Sequence, residues 1–254
     1  MGLILQGTHI SVDHACRDWL LTVPEGNPTE EQLGDLRVWS VFRRMLHSGK
    51  QRRDRTARQL GDNCPLIYAL KSKEGLTTDR LSIQKLLQSF TIILEEIARR
   101  EPQGYQMVIS MPSDHQISPI VGRRFARRFN ARHLTDAFCK ITVEEAFRLL
   151  DRADISVEEA RSLSFRIKNQ ARESGFKSNF SMKAIPVGLR GIFPPLKWCN
   201  HPHLTENPNS ILLVDDLLAS GTTLLTAQRL LKDRFPTSKI QAACLFSSAG
   251  TRRP

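Results

Sequence analysis

A chain of 254 residues that is 40% apolar and 25% charged has material for one large domain or a domain with an added piece, which excludes disordered, collagen-like and membrane-spanning classes. No apolar run nears the roughly 20 residues of a spanning helix. The start, MGLILQGTHISVDHACRDWL, lacks the basic stretch and cleavage site of a signal peptide, so cytoplasm is the expected location.

The net charge of +11 is local. Within residues 37–58, Arg37, Arg43, Arg44, Lys50, Arg52, Arg53, Arg55 and Arg58 face Asp54 alone, and Arg123, Arg124, Arg127, Arg128 and Arg132 form a second cluster without an acid. Concentrated positive charge attracts phosphate-bearing partners, although it also suits a solvated helix face. The five cysteines, Cys16, Cys64, Cys139, Cys199 and Cys244, are scattered and include no Cys-x-x-Cys pair. They read as small hydrophobes in a reducing compartment, with neither a disulfide framework nor a zinc site.

In chain order, the first 25 or so residues resist assignment. Asn27-Pro28-Thr29-Glu30 predicts a helix start with Asn as cap and Pro at the first helical position. Trp39, Phe42 and Leu46 follow at helical spacing, so residues 1–60 are expected to form a mainly helical, basic extension. Leu66 to Lys71 predicts a strand, Leu81 to Arg100 an amphipathic helix, Met107 to Met111 a strand, and Ser118 to Arg128 a helix. Thr142 with Glu145 and Ser156 with Glu159 are capping boxes. Arg161 to Asn179 is polar and basic and suggests a mobile loop. The proline-punctuated stretch 194–208 carries Trp198, Cys199, His201 and His203, but its prolines supply no frame to aim metal ligands, and no metal site is expected there.

The most specific segment begins at Ile211-Leu212-Leu213-Val214, an unbroken apolar run suited to a strand buried on both faces. It ends in Asp215-Asp216, followed by Leu217-Leu218, the turn Ala219-Ser220-Gly221-Thr222-Thr223, and a helical pattern. Backbone amides and hydroxyls at a helix N-terminus suit a phosphate, and Gly221 permits close backbone approach. Two carboxylates just upstream can accept bonds from vicinal hydroxyls, so the expected ligand is a ribose 5-phosphate. Neither a triphosphate loop nor a dinucleotide fingerprint is present.

This segment, ILLVDDLLASGTT, resembles at every position the 5-phosphoribosyl 1-pyrophosphate (PRPP) binding motif of type I phosphoribosyltransferases. The order of the other pieces is similar to the ComF-like branch of that family: Tyr68-Ala69-Leu70-Lys71 ahead of the core, Met111-Pro112-Ser113-Asp114-His115 leading into an arginine-rich helix, and later Gln170 and Asn179-Phe180. The likeness spans roughly residues 62–250, without the zinc-ribbon cysteines often found ahead of ComF-like domains.

The resemblance implies an α/β fold with a mainly parallel sheet flanked by helices over residues 61–254, behind the helical basic extension. It implies PRPP or another ribose 5-phosphate ligand, with Asp215 and Asp216 on the ribose hydroxyls and Ala219, Ser220, Gly221, Thr222 and Thr223 on the 5-phosphate. Pro112, Ser113 and Asp114 would line a pyrophosphate loop. Arg161 to Asn179, with Lys168, Arg172 and Lys177, would be a loop closing over the ligand, and Mg²⁺ would arrive with PRPP. Ala219 stands where hypoxanthine-type enzymes carry an aspartate base, so no catalytic residue is assigned and the phosphoribosyl acceptor is unknown. The alternative is a non-catalytic, PRPP- or nucleotide-responsive regulator, or a subunit of a bacterial DNA-uptake or defence assembly. Arg43, Arg44, Arg52, Arg53, Arg55 and Arg58 would then contact DNA or RNA. No membrane partner is expected, and a homo-oligomer or larger assembly stays open.

Overall fold

The computed structural model describes residues 2–16, 19–45, 64–199 and 207–247. The chain opens with a hairpin of β1 (Gly2–Gln6) and β2 (His9–Asp13), beside which the short β5 (Thr77–Thr78) later lies parallel to β2. A second hairpin joins β3 (Thr29–Leu33) to β4 (Leu36–Phe42), with Leu33 opposite Leu36 across a two-residue Gly34-Asp35 turn. Gly34 has φ +56°, the left-handed conformation that such turns need and that glycine adopts at least cost.

The central sheet has six strands in the order β3-β4-β11-β10-β6-β7, the last four being β6 (Met107–Ser110), β7 (Arg132–Leu134), β10 (Ser210–Leu217) and β11 (Lys239–Phe246). Every neighbouring pair is parallel except β3–β4. Four helices matter most for the site: α1 (Pro65–Leu70), α2 (Arg80–Arg100), α3 (Ile117–Phe129) and α6 (Thr222–Arg234). Side chains alternate along the strands as period two requires. Leu212 and Val214 join Phe90, Ile93 and Phe125 from α2 and α3, while Ile211 and Leu213 join Leu224, Ala227 and Leu231 from α6. The expected parallel sheet with both faces covered is therefore present.

Three expected elements take another form. The helix placed from Asn27 onward is the β3–β4 hairpin. Asn27 caps nothing there: its side-chain amide donates to the Leu21 and Val23 carbonyls, both at 2.8 Å, and its oxygen accepts the Arg43 N–H at 3.0 Å. Trp39 and Phe42 lie on a strand paired with β11, so Leu36–Phe42 belongs to the central sheet and not to a helical extension. The strand placed at Leu66–Lys71 is helix α1, with Pro65 in its first turn. Residues 46–63, including Leu46, Lys50, Arg52, Arg53, Arg55 and Arg58, lie outside the described residues.

The third correction concerns the expected mobile loop. Ser156 opens α5 (Val157–Ser174) through a complete capping box, as Thr142 does for α4 (Val143–Leu150). Leu163 and Ile167 of α5 are fully buried with Val143, Ala146, Phe180 and Phe193 in a cluster of their own, which holds Arg161 to Ser174 helical. Two short strands, β8 (Phe138–Cys139) and β9 (Lys197–Trp198), pair antiparallel at the ends of this region, and Cys139 and Cys199 are joined there with Cα atoms 5.5 Å apart. These two cysteines are thus not the reduced small residues expected. Cys64 and Cys244 are free and buried.

At the amino ends of the strands, buried Glu101 accepts from Arg37 at 2.6 Å, Lys239 at 3.0 Å and Gln241 at 3.1 Å. At the other end α3 approaches β6 closely. A Cβ on Gly122 would lie 2.3 Å from Ser110 Oγ and 2.7 Å from His133 Nε2, two atoms themselves bonded at 2.9 Å. Gly122→Ala should therefore cost about 1–3 kcal/mol through overpacking, measured by denaturant unfolding; wild-type stability would show that α3 can move away from β6. Among the described residues no helix is long and apolar enough to cross a membrane.

Candidate functional site

Strand β10 runs through the buried Ile211–Val214 and ends with its two acids at the carboxyl edge of the sheet, where parallel α/β proteins bind ligands. Asp216 is buried, and its Oδ2 lies 2.6 Å from Lys71 Nζ, at the end of α1. The Oδ1 of Asp215 accepts the Asp216 N–H at 2.8 Å and the Ser118 hydroxyl of α3 at 3.4 Å. Burial first, and then the charge of Asp216, push the Asp215 carboxyl up to about 6, against the opposing pull of the Asp216 N–H, Lys71 and Ser118. The acid pair thus has one half-buried counter-ion and two directional donors. Asp215 Oδ2 and Asp216 Oδ1 lie outside these bonds.

The next turn has the form expected. Gly221 caps α6 with φ +72°, a conformation that disfavours any side chain, and a Cβ there would also press on Leu33 of the β3–β4 turn at 2.4 Å. Ala219, Ser220 and Thr222 are exposed, Ser220 Oγ and Thr222 Oγ1 are 2.9 Å apart, and the first turn of α6 contains no acid. Hydroxyls beside a helix N-terminus make a seat for a phosphate.

Arg44 braces this turn from behind: its Nη2 donates to the Leu218 carbonyl at 3.1 Å, its Nε to the Ser247 carbonyl, and its backbone N–H to Ser247 Oγ at 2.7 Å. Arg44, expected as a nucleic-acid contact, thus also positions the segment entering the 219–223 turn. Arg43 is exposed.

The loop after β6 reaches the α4–α5 region. Asp114 accepts from Lys140 Nζ at 3.2 Å and from Asn179 Nδ2 at 3.3 Å. Burial alone would raise its pKa, but Lys140 and Asn179 hold the carboxyl below its ordinary range. Ser113 Oγ accepts the His115 N–H at 3.2 Å, and Pro112 lies between that turn and β6. Lys168 and Arg172 are exposed on α5, and among the described residues no hydrogen bond or ion pair joins either to the acid pair or to the 219–223 turn. The structure thus brings Asp215, Asp216 and residues 219–223 into one continuous site, holds Asp114 within its own network, and leaves Lys168 and Arg172 on a separate packing unit.

Sequence reasoning missed the pairing of Lys71 with Asp216, the brace from Arg44, the Ser118 bond and the cover from Leu33. Only the Leu70-Lys71 pair carried a signal, through the family resemblance. Among the described residues no cluster of three or more His, Cys, Asp or Glu side chains could hold a metal.

Comparison with known families matches residues 205–254 to the phosphoribosyl transferase domain, about the last fifth of the chain. The match includes the acid pair and the glycine turn, and it supports PRPP binding or phosphoribosyl transfer in general terms. No curated protein matches the chain.

Proposed function

We propose that the end of β10 and the start of α6 bind the ribose 5-phosphate part of PRPP, with the phosphate on Ala219, Ser220, Gly221, Thr222 and Thr223 and the ribose hydroxyls on Asp215 and Asp216. The observation that carries this reading is the continuity of an acid pair, Asp216 buried and Asp215 half-buried, with a hydroxyl-rich helix N-terminus inside the span that matches the phosphoribosyl transferase domain. The donor set suits a magnesium ion that arrives with its phosphorylated ligand: Mg²⁺ keeps most of its waters and is held by one or two carboxylates and the ligand's phosphates, not by a protein cage. Asp215 and Asp216 are the residues that would hold it, and its chemistry would be to screen the pyrophosphate charge. The resemblance to ComF-like proteins belongs to this reading. A non-catalytic responder would use the same pocket, and pyrophosphate release on adding candidate acceptors separates the two.

PRPP with Mg²⁺ should raise the melting temperature of the wild type and leave an Asp215→Asn/Asp216→Asn double variant unshifted. A shift of equal size in both proteins would overturn the assignment of the acids, and no shift in the wild type would overturn the ligand.

A further inference from the structure

Beside the acid pair, on the α2–α3 side of the sheet, lies a cavity of about 300 Å³. Phe42 and Phe246, at the carboxyl ends of β4 and β11, line it together with Leu86 and Phe90 of α2 and Ile117 of α3. It adjoins the acids along three elements. Leu70, another lining residue, precedes Lys71; Ile117 precedes Ser118; and Phe246 pairs with Leu217, the residue after Asp216.

The lining decides what can enter. A purine or pyrimidine presents polar edges that cost about 1–3 kcal/mol each when buried without a partner, and this cavity offers few groups to meet them. Its volume is at the lower end of the roughly 300–1,000 Å³ of small-molecule sites, enough for one or two fused rings. The polar lining comes from α3: Arg124, whose guanidinium lies 5.8 Å from the centre of the Phe90 ring, and Gln116, whose side chain caps no amide. Arg128, one turn further along α3, is held by Glu95 at 2.7 Å, whereas Arg124 has no carboxylate partner among the described residues. A half-buried guanidinium beside an apolar cavity is matched by a ligand that brings its own carboxylate.

We propose that this cavity is a second ligand site, for a small apolar ring compound carrying one carboxylate, with the rings among Phe42, Phe90 and Phe246 and the carboxylate on Arg124. The proposal does not depend on the phosphate site. It is tested with 1-naphthoate and its uncharged counterpart 1-naphthalenemethanol, titrated calorimetrically into the full chain. Naphthoate should bind the wild type saturably. Arg124→Gln should weaken naphthoate at least tenfold while changing the alcohol less than twofold. Filling the cavity with Leu87→Trp should weaken both probes at least tenfold, and Val121→Phe serves if Leu87→Trp fails to fold.

Absence of saturable naphthoate binding to the wild type overturns the site. Unchanged naphthoate affinity in Arg124→Gln overturns the carboxylate assignment, and full binding in both filled variants overturns the location. A dimer that dissociates on Ile120→Lys, with no probe bound, would assign the cavity to self-association instead. The PRPP shift measured on the same samples keeps the two sites apart: its loss with naphthoate binding intact removes only the phosphate site, and the converse removes only the cavity.

Discussion

Lys71→Met should destabilise the folded chain by about 3–5 kcal/mol, the range found when one member of a buried ion pair is removed and the other charge is left behind. The substitution keeps the apolar stem and deletes only the ammonium that lies 2.6 Å from Asp216, whose side chain is 8% exposed. Two adjacent carboxylates would then share the end of β10 without their counter-ion, and a lone charge in that position has little access to bulk water. For a chain of this length the loss corresponds to a melting temperature lower by on the order of 10 °C. Adding Asp216→Asn should recover most of it, because the second substitution removes the stranded charge. Thermal and urea unfolding of the two single variants and the double variant complete the cycle. A Lys71→Met protein within 1 kcal/mol of wild type would show that the pair is solvated and that α1 does not anchor the site.

The parts of this fold that were legible in the sequence are those where signal and structure are local. Ile211 to Val214, the acids and the glycine turn follow one another without interruption, so the order strand, acids, turn, helix can be read from one short stretch of sequence. The capping boxes at Thr142 and Ser156 are equally local, and both close as written.

What stayed hidden depends on partners far along the chain. Asn27-Pro28-Thr29-Glu30 has the letters of a helix start, but Asn27 turns back to Leu21 and Val23. The spacing of Trp39 and Phe42 fits a helix as readily as a strand until β11 is there to pair with it. The apolar run at Leu66 is six residues long in either state, a length at which periodicity does not discriminate. Arg161 to Ser174 looked like a loop because only Leu163 and Ile167 mark its buried face, and the surfaces that receive them come from α4 and from Phe180 and Phe193. The Lys71–Asp216 pair and the Arg44 brace have the same character: neither side chain is aimed until the sheet has assembled.

Asp215→Asn should stabilise the protein at pH 8 and change little at pH 4. The carboxyl titrates near 6 in the folded chain against an ordinary 3.8, so the folded state holds this proton more tightly than the unfolded one. Stability from that proton is fully present below about pH 4 and is lost as pH rises through 6, after which the buried carboxylate is charged in both states and its burial opposes folding. A gap of about two units corresponds to about 3 kcal/mol. Asparagine reproduces the uncharged form and keeps an oxygen for the Asp216 N–H and the Ser118 hydroxyl, so the variant should recover up to that amount at pH 8. Urea unfolding at the two pH values checks it, and an equal difference at both, or a loss at pH 8, would show that Asp215 is not held against its charge. The same substitution removes one acceptor offered to ribose hydroxyls, so stability and the PRPP response should move in opposite directions. That opposition separates a carboxylate kept for a ligand from one kept for the fold, since a structural acid would lose stability on neutralisation and leave the ligand response intact.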